Sequence, residues 1–112
     1  MEREARILES AWAEVEEIAA YLFDRSSNAA SEFLAEFEEK VSLIASGAVT
    51  FRLSRMPELA ALGYRTVLIG NYVALYYEDG EAVVVAHVFH QRQDYAPLVV
   101  DRTAHSGGDD PS

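Results

Sequence analysis

Val15, Ile18, Ala19 and Leu22 fall at i, i+3, i+4 and i+7, one apolar stripe along a helix, so residues 11–24 are predicted helical. Ser10 precedes the stripe as an N-cap, and Glu14, Glu16 and Glu17 bring negative charge near the helix start, where the backbone dipole favours it. Ser26-Ser27-Asn28 interrupts the pattern and offers a fresh cap. Beyond it Ala30, Phe33, Phe37, Val41 and Ile44 are spaced by three, four, four and three, which predicts a longer helix ending at Gly47. Two helices joined by about four polar residues form an antiparallel hairpin. Ahead of them, residues 5–9 read as a short first strand.

After Gly47 the period is lost. Residues 48–63 carry Arg52, Arg55, Pro57 and Gly63 and are predicted to be an irregular connection, with a short strand at 49–53. From Tyr64 the chain turns β-rich: strands at 64–69, 72–78 and 81–89, separated by Gly70-Asn71 and by Asp79-Gly80, a strong hairpin-turn dipeptide. The last strand, Ala82 to Phe89, is apolar on both parities, as a central strand covered on both faces would be. One cover is the helical hairpin; the other is the chain after residue 89 or a partner protein. The expected fold is α+β, an N-terminal helical hairpin packed on a small antiparallel sheet.

Length fits one domain, residues 1–100, with 101–112 as a flexible C-terminal tail rich in Ser, Gly and Asp. His105 lies in that tail and carries little weight. Hydrophobic residues at 50% supply a core and exclude wholesale disorder. The absence of cysteine excludes disulfides, thiolate metal sites and cysteine nucleophiles. No apolar run approaches the ~18–20 residues of a membrane span, and Met1-Glu2-Arg3-Glu4 is not a signal peptide, so a cytoplasmic protein without a membrane partner is expected.

Charge changes the picture more. The net charge is −10, and residues 1–40 hold eleven acids against four bases. Glu32, Glu36 and Glu39 lie off the apolar stripe, so most of the excess is a solvated helix face. Residues 41–100 are nearly neutral, with five acids and four arginines. Arginine suits forked contacts with phosphate or carboxylate, so any anion-binding function belongs to this second half.

The candidate chemistry sits where the last strand runs out, at His90-Gln91-Arg92-Gln93-Asp94-Tyr95. If the chain stays extended, His90, Arg92 and Asp94 share one face. His90 can exchange a proton near neutrality, Arg92 can hold an anionic oxygen, and Tyr95 can donate a hydrogen bond, stack or shuttle a proton. Arg65 could add a second positive charge from across the sheet. That kit suits metal-independent RNA cleavage, which needs a base, an acid and fixed positive charge around one phosphate. The plainer readings are an Arg92–Asp94 surface pair, an edge-capping His90 and a packing Tyr95. His87, inside the apolar strand, is expected to be a satisfied core histidine. No phosphate loop, zinc pattern, serine elbow or dinucleotide fingerprint is present, so no cofactor or metal is expected.

The order of hairpin, connection, Gly63-Tyr64-Arg65, Gly70-Asn71-Tyr72-Val73-Ala74-Leu75-Tyr76-Tyr77 and Val88-Phe89-His90-Gln91-Arg92-Gln93-Asp94-Tyr95 resembles the RelE/ParE superfamily, over roughly residues 5–99. These are the toxins of bacterial type II toxin–antitoxin modules, often called plasmid stabilisation proteins. The resemblance implies a toxin neutralised by a cognate antitoxin that wraps it, with DNA contacted only through the antitoxin. It implies one of two actions: metal-independent cleavage of mRNA in the ribosome, by RelE-like endoribonucleases, or poisoning of DNA gyrase, by ParE-like members. The matching catalytic positions are Arg65, His90, Arg92 and Tyr95. RelE-like nucleases carry lysines in the connection before the sheet; here Arg52 and Arg55 stand in as substrate-binding charge, and the only lysine is Lys40 on the second helix. The histidine–arginine–tyrosine cluster favours cleavage, and the acidity opposes it. A non-toxic binding module that uses the acidic hairpin to hold a basic partner is the alternative.

Overall fold

Local signals place most of the element boundaries in the structure, a computed structural model that describes residues 3–100. The order is β1 (Glu4–Ile7), α1 (Glu9–Arg25), α2 (Ser27–Ser46), α3 (Pro57–Ala61), β2 (Arg65–Ile69), β3 (Tyr72–Asp79) and β4 (Ala82–His90). Residues 96–100 are helical again. The tail expected at 101–112, with His105, lies outside the described residues.

The two long helices are parted by one residue, where a join of about four polar residues was expected. Ser26 is extended, its N–H donates to the Leu22 carbonyl, and its Oγ accepts from the Ala29 N–H at 3.3 Å. One residue thus ends α1 through its backbone N–H and caps α2 through its side chain. Gly47 closes α2 in the left-handed region at φ 84°, as its position predicts. Ser10 does not cap α1. Leu8 occupies that place, and the Ser10 hydroxyl donates to the Ala86 carbonyl at 2.7 Å.

The α+β class holds, with the hairpin packed on a small sheet. The sheet is mixed, however, and not purely antiparallel: its order is β1-β4-β3-β2, and β1 joins β4 in parallel. The β1 strand is four residues long, and its partner lies more than seventy residues away in the chain, so no local turn signal could give its direction. The hairpin loops are two residues each, Gly70-Asn71 and Gly80-Glu81. The second sits one residue later than the Asp79-Gly80 dipeptide suggests, because Asp79 pairs with Ala82 and Gly80 takes the positive φ of 62°.

Between β3 and β4 the register slips from Leu75↔His87 to Tyr76↔Val85, so Ala86 is an extra residue in β4. This bulge reverses the side-chain parity. Val83, Val85 and Val88 face the helical hairpin, whereas Ala86 and Phe89 face the other way. On the hairpin side these valines meet Ala11, Val15, Phe33, Phe37 and Ile44 with Val67, Ile69 and Tyr76. On the opposite side Leu59, Tyr64, Val73, Leu75, Phe89, Tyr95 and Val99 form a second core. The other cover of β4 is therefore α3 and the chain after residue 89.

Where β1 ends, α1 takes over the edge of β4. The Leu8 N–H donates to the Val85 carbonyl, Ser10 reaches the Ala86 carbonyl, and Glu14 Oε1 accepts from the Val88 N–H at 2.8 Å. Glu14 Oε2 lies 3.2 Å from His87 Nδ1. His87 is buried and stacks on Phe89, 5.3 Å between centroids, so it is the satisfied core histidine expected of it.

Candidate functional site

The connection before β2 is the least periodic part of the chain, yet it is pinned at both ends. The Phe51 N–H donates to the Tyr76 hydroxyl at 3.0 Å, and the Phe51 carbonyl accepts from Arg65 Nη1 at 2.8 Å. The Ser54 N–H donates to the Tyr64 carbonyl, and the Thr66 N–H donates to the Arg52 carbonyl. Residues 51–54 therefore lie along the outer edge of β2 through an isolated Leu53↔Arg65 bridge. Pro57 then starts α3, whose Leu59 is fully buried against the second core. The connection was expected to be irregular, and the short helix in it carries only one apolar anchor, too little to register as a period.

This arrangement opens a groove of about 640 Å³, lined by Lys40, Arg52, Arg55, Tyr95 and Gln91 over an apolar floor that includes Leu53, Leu68 and Val73. Arg52 and Arg55 are exposed and line it together. Lys40 reaches it from α2, with Nζ donating to the Leu68 carbonyl at 2.8 Å and to Glu36 at 3.2 Å. Nothing in the local sequence marks Lys40 for this place, because only the packing of α2 against β2 brings them together.

His90 and Arg92 share an adjoining notch of about 420 Å³ with Asn71, and Gln91 lines both spaces. The expected extended run through Asp94 does not form. The strand stops at His90, the Gln93 N–H donates to the His90 carbonyl, and the Arg92 N–H donates to His90 Nδ1 at 3.1 Å. That turn removes the period-two alternation that would have put His90, Arg92 and Asp94 on one face. No ion pair joins Arg92 to Asp94 among the described residues.

Tyr95 turns under the sheet and stacks on Phe89, with centroids 5.3 Å apart and planes 11° apart. Burial raises the Tyr95 phenol above its ordinary value of 10.0. At neutral pH it is a protonated donor, not a base.

Arg65 does not join these groups. Its Nη1 holds the Phe51 carbonyl, and its Nε lies 3.7 Å from Glu78 Oε1. Glu78 also accepts from Arg3 Nη1 at 2.7 Å, and that hydrogen bond is the main reason its carboxyl sits below the usual 4.5. Arg65 pairs with Tyr76 and His90 with Tyr72, four residues along β3 and on opposite sides of it. The two are therefore ~16 Å apart at backbone level. The expected convergence of Arg65, His90 and Arg92 on one anion is corrected: Arg65 is a structural clamp, engaged by an internal carboxylate and a carbonyl. Among the described residues no group of three or more His, Asp or Glu side chains could hold a metal ion. No helix of the described residues is long and apolar enough to cross a membrane.

The comparisons agree with this architecture. The family model of the ParE toxin of type II toxin–antitoxin systems, parDE, matches residues 5–95. The chain is similar in structure to a protein of a chromosomal ParDE toxin–antitoxin system from P. aeruginosa, with a TM-score of 0.64 and 15% identity, covering 79% of this chain and 95% of that one. That likeness concerns the fold alone. No curated protein matches the sequence.

Proposed function

We propose, from the premise that the chain belongs to the ParE toxin family of type II toxin–antitoxin systems, that it arrests growth by poisoning DNA gyrase and is neutralised by a cognate antitoxin. The observation that carries the choice of target is the dispersal of the nuclease set. Cleavage needs a base, an acid and positive charge within hydrogen-bond reach of one phosphate. Here Arg65 is engaged by Glu78 and Phe51, Tyr95 is buried and protonated, and His90 Nδ1 accepts the Arg92 amide. The −10 charge also disfavours approach to RNA.

Controlled expression with and without the neighbouring gene tests the pairing: arrest only without it supports an antitoxin. Arrest under neither condition leaves the non-toxic binding module. For the target, purified protein is expected to inhibit gyrase supercoiling, and His90→Ala and Arg92→Ala are expected to stay toxic.

One observation favours mRNA cleavage as a second reading. Arg52, Arg55 and Tyr95 line one groove, with His90 and Arg92 in the notch beside it. Sequencing of RNA ends after brief induction separates the two: new, sequence-preferring ends that vanish in His90→Ala would sink the gyrase reading.

A further inference from the structure

Beyond Ile7, where β1 ends, β4 runs on to His90, and α1 takes over its edge through the Glu14 carboxylate. Glu14, Glu17, Ile18 and Tyr21 are spaced by three, one and three, so they share one face of α1. Opposite them stand Tyr72 at the start of β3, Val88 and His90 at the end of β4, and Leu98 from the last helical turn. Together they line a cleft of about 350 Å³. That volume suits a small molecule, at the lower end of the ~300–1,000 Å³ usual for such sites.

Its chemistry is the reverse of the arginine-lined groove beside β2. Two carboxylates line it and no lysine or arginine does. Glu14 is held by the Val88 N–H and His87, so its charge is fixed in place. Glu17 is exposed and forms no ion pair among the described residues. Aromatic rings add a second attraction for a cation. The Tyr21 ring, 55% exposed, already carries the Arg25 guanidinium 5.3 Å from its centre, and Arg25 is not part of the lining. Tyr72 is fixed by edge-on contacts with Phe33 and His90, each 5.2 Å between centroids. A metal ion is poorly served. Among the described residues no group of three or more His, Asp or Glu side chains could hold one, and Ile18, Val88 and Leu98 bring no side-chain oxygen.

We infer that the cleft binds an aliphatic polyamine. One ammonium sits at Glu14 and Glu17, the methylenes lie along Ile18, Val88 and Leu98, and the next ammonium meets the Tyr21 and Tyr72 rings. Glu17 and Tyr21 are four residues apart, ~6 Å along the helix axis, a gap that a chain of four methylenes spans. The site lies apart from the arginine-lined groove, and the inference is independent of which cellular target the toxin poisons.

The test is an amide NMR titration of the full-length protein with spermidine in about 0.15 M salt, where distant charges are screened. Saturable shifts at the Ile18, Tyr72 and His90 amides are expected. Glu17→Gln should weaken binding ~3–5-fold through loss of an exposed charge pair. Tyr21→Leu, which keeps apolar bulk but removes the ring, should weaken it ~2–5-fold. Glu39→Gln changes the net charge equally but lies on α2, outside the lining, and should alter affinity less than ~2-fold. Glu17, Tyr21 and Glu39 are exposed, and competing ligands leave the protein unaltered, so misfolding cannot imitate the pattern. Any of six results would overturn the proposal. The first is no saturable shift at those amides. The second is unchanged affinity in both Glu17→Gln and Tyr21→Leu. The third is an equal loss in Glu39→Gln, which would mean a general attraction to an acidic surface. The others are binding of uncharged butanediol as tight as that of putrescine, full displacement of spermidine by equimolar magnesium, and tighter binding of Nα-acetyl-lysine methylamide. The last would assign the cleft to a lysine side chain of another protein.

Discussion

On one face of the sheet the 17 residues of α1 and 20 of α2 lay Val15, Phe33, Phe37 and Ile44 over the strands, and all four are buried. On the other face the five residues of α3 and residues 95–100 cover Val73, Leu75 and Phe89 but leave Leu68 beside an open groove. The same strands thus have one sealed side and one unfinished side. Charge divides likewise: the hairpin holds most of the acid, and the groove is lined by Lys40, Arg52 and Arg55. A sealed face built from long helices supplies stability, which frees the shorter cover opposite to leave backbone and arginine exposed.

Substitutions can break this contrast. Phe37→Ala, in the sealed face, is expected to cost about 3–5 kcal/mol, because a large buried ring leaves a cavity between two long helices that cannot close it. Urea unfolding measures it. Leu59→Ala in the thinner cover is expected to cost nearer 2–3 kcal/mol, since a five-residue helix can shift to fill the space. A larger loss than for Phe37→Ala would contradict the ranking of the two faces. Glu14→Ala, which unpairs the Val88 N–H and leaves His87 without its carboxylate, is expected to cost about 1.5–3 kcal/mol, and exchange of the Val88 amide should accelerate.

Smaller effects sharpen the comparison. Glu78 has a folded value below 4.5, so its stabilising contribution is fully present above about pH 4.5 and is lost as the pH falls through the folded value. Arg3→Ala should therefore lower stability near neutrality and flatten the acid limb of a stability–pH profile, while changing little at a pH below the folded value. Last, Arg52→Ala and Arg55→Ala, on exposed side chains, are expected to change stability by less than ~0.5 kcal/mol. A greater loss would mean that the groove arginines serve the fold and not a ligand.

Much of this was legible along the chain where contacts are local. The stripe from Ala30 to Ile44, the Gly47 stop, the two glycine-containing loops and the double-sided apolarity of β4 each depend on neighbours within a few residues. The site was legible only in part. Arg52, Arg55 and Tyr95 meet in one groove and His90 with Arg92 in the next, but Arg65 was misplaced because its partner, Glu78, lies on another strand and is itself held by Arg3.

Periodicity and turn chemistry in the amino-acid order alone determined an α+β chain with a helical hairpin, a three-strand meander and an acid-rich first half. Tertiary structure decided the rest. It chose the parallel direction of β1, inserted the bulge at Ala86 that reverses which β4 residues face the hairpin, and brought Lys40 to β2. It also committed Arg65 to a clamp. The reason is one of range: a hydrogen bond between neighbours leaves its mark in spacing, whereas an ion pair or strand pairing across dozens of residues is selected only when the packed faces bring the two partners within reach.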